Sequence, residues 1–387
     1  MKSKGSKTVR RGILFGCIGV LLLSVSVFAA YGSASGYGKY KEAAIDLVTA
    51  TDNATIRLES SVRFDGEEKI NETAIYRVDG KNQSTHSKSI VNGGSADLNG
   101  EYFYSVIDGS VEEFRSDSDI YDVYSVDDDY GREGFFGSYG EGEKKLVKFG
   151  SLLADTVLGD LKNNVVLVGE KDGVKNYRLD VKGEQMPPLI NAALDLASYG
   201  ENSVGYTYYE DEEATLKAYY EKTYGEPLPE DVAAYINGDY DEYEEGSAEE
   251  AAYDRAWESY YKIYDEMEES YQKIIDEKDC FLYVNKDGSY EIYESYGEMA
   301  MAENLATDIS DFFLSKTILD QVVFNAGLDE NDALVTNDCT LTFTATDSTG
   351  KAHKIEYFLK LRVSDRGSTE VQRFDTGNRT MENLDEE

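Results

Sequence analysis

Histidine and cysteine, the side chains that most often carry nucleophilic or metal chemistry, are scarce: 387 residues hold two histidines and three cysteines. His86 and His353 fall in separate strand-like runs with no Ser or Cys motif beside either, so both read as exposed strand histidines. Cys280 and Cys339 each follow an aspartate and open a strand. A disulfide between them would close a long loop, whereas the alternation of neighbouring apolar residues fits two buried free thiols equally well. No zinc spacing, Gly-rich phosphate loop or nucleophile elbow occurs. Carboxylate pairs of the kind glycoside hydrolysis needs are unavoidable among 76 acids and therefore carry no information. Asp127-Asp128-Asp129, with Asp117, Asp119 and Asp122 nearby, and Asp239-Tyr240-Asp241 offer oxygens to Ca²⁺. Neither has Gly at the sixth and Glu at the twelfth loop position, so both read as solvated acidic loops. The expectation is a protein with no catalytic residue, no metal site and no cofactor.

Recognition chemistry is better represented. Tyr253, Trp257, Tyr260, Tyr264, Met267, Tyr271 and Ile274 recur at spacings of 4, 3, 4, 3, 4 and 3. That register predicts a helix over about Ala248 to Lys278 with one aromatic stripe. Tyr253, Trp257, Tyr260, Tyr264 and Tyr271 are the candidate partner surface, since Tyr and Trp give large contact area at low entropy cost. Docking of the stripe on the β-core is the competing use.

The elements that must position these residues follow from the pattern of apolar positions. After a Gly/Ser linker, Tyr40, Ala43, Ala44, Leu47 and Val48 share one face of a short helix. Ile56, Leu58, Val62 and Phe64 then alternate with polar residues. Turn signals follow at Asp65-Gly66, Asp79-Gly80, Asn92-Gly93, Asn99-Gly100 and Asp108-Gly109. Such close turns leave no room for crossover helices, so residues 37–200 begin as an antiparallel meander. Helical spacing returns at Leu146 to Leu161. Two strands, Asn164 to Glu170 and Val174 to Val181, precede a nearly all-apolar helix from Leu189 to Ala197. Residues 201–300 hold 29 acids, 7 bases and 18 of the 31 tyrosines, a net −22, and read as a largely helical acidic insertion. Residues 301–374 return to alternating strands that complete the first sheet, and residues 375–387 read as a polar, frayed tail.

Residues 1–36 set the address. Lys2, Lys4, Lys7, Arg10 and Arg11 precede 19 uncharged residues, 12–30. At 1.5 Å per residue these span about 28 Å, near the thickness of a bilayer's hydrocarbon core. The basic flank predicts a single-pass membrane segment with the N-terminus cytoplasmic and the remainder extracytoplasmic. Retention as an anchor and cleavage as a signal are both open, because Val27-Phe28-Ala29 and Gly32-Ser33-Ala34 resemble signal-peptidase sites. The exported part carries −43, which excludes nucleic-acid binding and favours cationic neighbours.

Tyr37-Gly38-Lys39-Tyr40-Lys41-Glu42, the strand–Asp-Gly–strand meander, Gln185-Met186-Pro187 and Thr346-Asp347-Ser348-Thr349-Gly350-Lys351 together carry a resemblance. The chain resembles membrane-anchored cell-envelope proteins of Gram-positive, clostridia-like bacteria. Its order of elements is similar to LolA/LppX-like lipoprotein carriers, whose fold is a curved antiparallel half-barrel closed by helices. The resemblance implies an α+β fold and a non-enzymatic protein holding an apolar, lipid-like ligand. Ile56, Leu58, Leu189, Ala193 and Leu196 are then the candidate cavity lining. The alternative is an envelope interaction or sensory module that uses the acidic aromatic insertion.

Overall fold

The computed structural model describes residues 36–92, 99–125, 165–186, 188, 190–192, 205–238, 247–303, 305–306, 310–314 and 316–386. In chain order its elements are α1 (Gly36–Thr49), β1 (Asn53–Phe64), β2 (Glu67–Asp79), β3 (Asn82–Val91), β4 (Gly100–Ile107), β5 (Ser110–Arg115), β6 (Ile120–Ser125), β7 (Val166–Lys171) and β8 (Val174–Lys182). There follow β9 (Thr207–Tyr209), α2 (Glu212–Tyr224), α3 (Glu230–Ile236), α4 (Ala248–Lys278), β10 (Phe281–Val284), β11 (Tyr290–Tyr293) and α5 (Tyr296–Ala302). The last are β12 (Lys316–Leu328), β13 (Leu334–Thr346), β14 (Ala352–Ser364) and β15 (Thr380–Asn383). The class is α+β. The chain forms two compact units: Met1–Leu196 with Asn304–Glu387, and Ala197–Glu303.

The first unit is built on one sheet of 12 strands in the order β15-β6-β5-β4-β3-β2-β1-β14-β13-β12-β8-β7. The sheet is open and does not close into a barrel. Every neighbouring pair is antiparallel except β15 with β6. The N-terminal meander and the C-terminal strands join where Leu58 lies opposite Leu361. Three hairpins turn on Asp-Gly pairs with both residues at positive φ: Asp65-Gly66, Asp108-Gly109 and Asp172-Gly173. That geometry matches the right-handed twist of the flanking strands, and Asp tolerates it better than most residues with a Cβ.

Alternation puts Ile56 and Leu58 on the same side as Leu341, Phe343, Leu359 and Leu361, all buried. α1 lies against the β12–β13 part of this face. The Tyr40 ring meets Phe324 edge-on at 4.7 Å between centroids, and the Asn337 amide donates to the Tyr40 hydroxyl at 3.2 Å. Lys39 from α1 and Lys175 from β8 both pair with Asp332, at 2.7 and 3.1 Å. The two lysines, Lys39 foremost, hold the Asp332 carboxyl below the usual carboxylate range.

The polar tail is not frayed. Beyond β14 the chain crosses the opposite face of the sheet and ends as a strand. Thr369 and Asn53 exchange bonds, with the Asn53 amide donating to the Thr369 carbonyl at 3.0 Å and the Thr369 N–H donating to Asn53 Oδ1 at 2.8 Å. His86, Phe103 and Phe114 stack in a column across β3, β4 and β5, at 4.4 and 4.8 Å. Phe374 caps this column edge-on, and the Arg379 guanidinium lies 4.4 Å over Phe114. Arg373 pairs with Glu112 at 3.0 Å, and β15 then adds in parallel to β6. Backbone pairing with an edge strand is what composition alone concealed, because Thr380 to Asn383 carries only one strongly apolar side chain.

Other expectations need correction or fall outside the described residues. Cys280 and Cys339 are both buried free thiols, so the disulfide is replaced by its alternative. Burial pushes the Cys339 thiol up to about 12. The membrane segment 12–30 and the helix expected at Leu146 to Leu161 lie outside the described residues. Of the Leu189 to Ala197 helix only Ile190, Asn191 and Ala192 are described, and these, with Pro188 before them, are helical. Among the described residues no helix is long and apolar enough to cross a membrane.

In the second unit, β11-β10-β9 form a small mixed sheet, with β9 parallel to β10. Leu282 and Val284 of β10 point toward α4 and share a core with Leu216 of α2 and Val232 of α3. Gly205 leads into β9 where a Cβ would sit 2.0 Å from the Cys280 carbonyl oxygen, so only glycine fits that approach.

If the tail strap contributes to folding, Arg379→Ala, which uncovers Phe114, lowers stability by about 1 kcal/mol in chemical denaturation. Ending the chain at Asp375 removes β15, and hydrogen exchange at the β6 amides Ile120 to Ser125 accelerates while β13 stays protected. Unchanged β6 exchange would show that the strap is dispensable.

Candidate functional site

Local sequence sets both ends of α4. Ser247 caps its start by accepting from the Glu250 N–H at 3.0 Å, and Glu249 and Glu250 in the first turn complement the helix dipole. Asp279 ends it in the left-handed region, its N–H bonding to the Ile275 carbonyl at 2.7 Å. The helix turns one face inward: Ala256, Ile263, Met267, Tyr271 and Ile275 are buried.

This face differs from the heptad stripe. From Ile263 onward the buried positions advance by four, and each such step turns about 40° around an α-helix. The contact line therefore winds around α4. Tyr271 is 5% exposed and belongs to the core, whereas Trp257 is 44% exposed and points away from it. Tyr253, Tyr260 and Tyr264 are half-buried. Of the five expected surface residues, one is interior, three are shared, and one is open.

Two rings that the stripe omitted complete the open surface. Tyr261, 41% exposed, packs on Trp257 at 4.7 Å between centroids. Tyr235 of α3 bridges Tyr253 at 5.5 Å and Tyr260 at 5.0 Å. Tyr260 meets Tyr261 at 5.2 Å and Tyr264 at 6.0 Å, so six rings form one contiguous patch. The i, i+4 spacing of Trp257 and Tyr261 was a usable signal for that pair. Tyr235, from another helix, left none.

Carboxylates edge the patch. The Tyr209 hydroxyl donates to Glu268 at 2.6 Å, and the Tyr260 hydroxyl approaches Glu212 at 3.5 Å. Partial desolvation and the neighbouring Glu268 charge raise the Glu212 carboxyl above its ordinary range. Burial, reinforced by Glu212 and Glu268, pushes the Tyr264 phenol up to about 12, and burial with the Glu212 charge raises Tyr260. These phenols stay protonated at physiological pH. They present ring faces and O–H donors, which suits recognition. Among the described residues no Lys or Arg pairs with Glu212 or Glu268.

The other candidates separate. Ile56 and Leu58 are withdrawn from solvent in the sheet core, and Leu189, Ala193 and Leu196 lie outside the described residues. Asp127 to Asp129 and Asp239 to Asp241 also lie outside them. Asp117 pairs with Arg115 at 3.0 Å. Among the described residues no cluster is arranged to hold a metal ion.

His353 is not an exposed strand residue. Its ring stacks on Phe64 at 4.9 Å, with Nδ1 2.9 Å from Asp65 and Nε2 3.1 Å from Asp347. The Thr349 hydroxyl and the Lys351 N–H also donate to Asp347, at 2.7 and 2.8 Å. Thr349 foremost, with His353 and Lys351 assisting, holds the Asp347 carboxyl down to about 2. The contacts tie the β1–β2 turn to the β13–β14 turn, a structural staple. His86 stacks on Phe103 and bonds Glu101 at 2.9 Å, again within a packed column.

No family model matches the chain, and no curated protein matches it.

A depressed carboxyl stabilises the fold above its ordinary value, here 3.8, and that contribution is lost as pH falls through the folded value. Melting temperature therefore drops between about pH 4 and 2 partly through Asp347. Thr349→Ala should raise the Asp347 titration midpoint seen by carbon-detected NMR and flatten that limb of the melting profile. An unmoved midpoint would remove the Thr349 hydroxyl as the cause.

Proposed function

We propose that this protein is a non-enzymatic, extracytoplasmic interaction module of the cell envelope, held at the membrane through residues 12–30 or released by their cleavage. Its contact surface is the aromatic patch on α3 and α4. The observation that carries this reading is the pair Trp257 and Tyr261: two large rings left open to water on a helix that buries Ala256, Ile263 and Met267 beside them. Exposed aromatic residues backed by a rigid core are the usual anchors of protein recognition. The half-buried tyrosines behind them fix the rings in place, so little side-chain freedom is lost on binding.

A half-barrel carrier of an apolar, lipid-like ligand is the second reading, and has less support. It requires a hollow lined by Ile56 and Leu58, and both are closed off from solvent.

Hydroxyl-radical footprinting of the purified protein, with and without a cell-envelope fraction, tests the module. Trp257 and Tyr261 should be protected, whereas Tyr224 and Tyr290, equally open in the same unit, should stay reactive. Equal labelling of all four in both samples would overturn the assignment.

A further inference from the structure

Resting on that contact surface, we infer that its occupant is a lysine-rich segment of a partner protein, with lysine ammonium groups seated on the Trp257–Tyr261–Tyr260 rings and held by Glu212. Charge complementarity carries the argument. From Ala248 to Ser270, α4 has eight acids against Arg255 and Lys262. The rings are thus an apolar island in a strongly negative surround, a combination that attracts a cation and rejects an anion. A cation over the face of Trp or Tyr, within about 6 Å, gains from the ring quadrupole. Among the described residues the cation–π contacts are Arg63 over Phe358 and Arg379 over Phe114, and neither involves Trp257, Tyr260 or Tyr261.

Glu212 decides the kind of cation. Its carboxylate is bounded by the Tyr260 hydroxyl at a long 3.5 Å and has no basic partner among the described residues, so it retains acceptor capacity. Partial desolvation, and then like-charge repulsion from Glu268, raises its carboxyl above the ordinary range, and an incoming ammonium offsets that repulsion. A primary ammonium donates up to three hydrogen bonds, so it satisfies Glu212 while its apolar stem lies along the rings. A trimethylammonium group gains only the ring contact. Several lysines are required because one exposed cation–π contact contributes little by itself.

Trp257 is the single tryptophan of the chain, so intrinsic emission reports on this patch alone. The full-length protein in detergent is titrated with decalysine, with anisotropy of labelled decalysine as a second readout. The expected result is a saturable change in Trp257 emission. Tyr261→Ala and Glu212→Gln should each weaken binding about two- to fivefold. Glu277→Gln, an exposed acid near the far end of α4, should leave it unchanged. Equal losses for Glu212→Gln and Glu277→Gln would overturn the site in favour of diffuse charge attraction. Tetramethylammonium displacing decalysine at comparable cation concentration would overturn the choice of lysine. Absent decalysine binding with footprint protection intact removes the basic partner and leaves the contact surface standing. Absence of both removes the surface as well.

Discussion

The antiparallel pairing of β1 with β14 is the constraint on which the first unit depends. Ten residue pairs, from Thr55 with Ser364 to Phe64 with Ile355, join segments that are far apart in the chain. Each strand is amphipathic, and neither the meander nor the three C-terminal strands could bury an apolar face of full width alone. Together they make a face wide enough for α1 to cover in part, with Tyr40 seated on Phe324. Loop-closure cost rises only slowly with length, so a long intervening excursion is tolerated once both flanking strands are in the sheet. The second unit enters after β8 and returns before β12, and these two strands are themselves neighbours.

The same sheet is covered on its other face by a different device. Over β3 to β5 the ring column of His86, Phe103 and Phe114 needs a lid, and the chain's own C-terminal segment supplies it through Phe374 and Arg379. Apart from Phe374, the segment sets mainly polar side chains on the sheet. Backbone hydrogen bonds to β6, one ion pair and one cation–π contact hold it, each individually modest. The result protects an edge strand that would otherwise offer unpaired backbone groups to solvent.

In the second unit a mainly aliphatic core is flanked by half-buried tyrosines, among them Tyr209, Tyr219, Tyr260 and Tyr264. A ring carrying a hydroxyl can pack with its body while its tip donates to a carboxylate, as Tyr209 does to Glu268, or to a backbone carbonyl, as Tyr219 does to that of Glu266. A core of this kind remains compatible with a surface of high negative charge, because the polar tips meet the acids instead of being buried beneath them. The open rings of Trp257 and Tyr261 are continuous with that core through Tyr260, which packs against it.

Local chemistry was legible in the letters. Two-residue alternation placed β1, β13 and β14, an Asp-Gly pair placed the β1–β2 turn, and the periodicity of Ala248 to Lys278 bounded α4. These signals act between residues a few positions apart, so no distant neighbour can override them cheaply. What distant neighbours supply was settled only by tertiary structure. The order of strands depends on partners hundreds of residues away, and so does the pairing of Thr380 to Asn383 with β6. The side of α4 that is buried depends on where α2, α3 and β10 lie, which turned Tyr271 inward and Trp257 outward. His353 looked exposed because its strand alternates, yet Asp65 and Asp347 from two turns close over it. A side chain's period places it on a face; only the packing of the whole chain determines what that face meets.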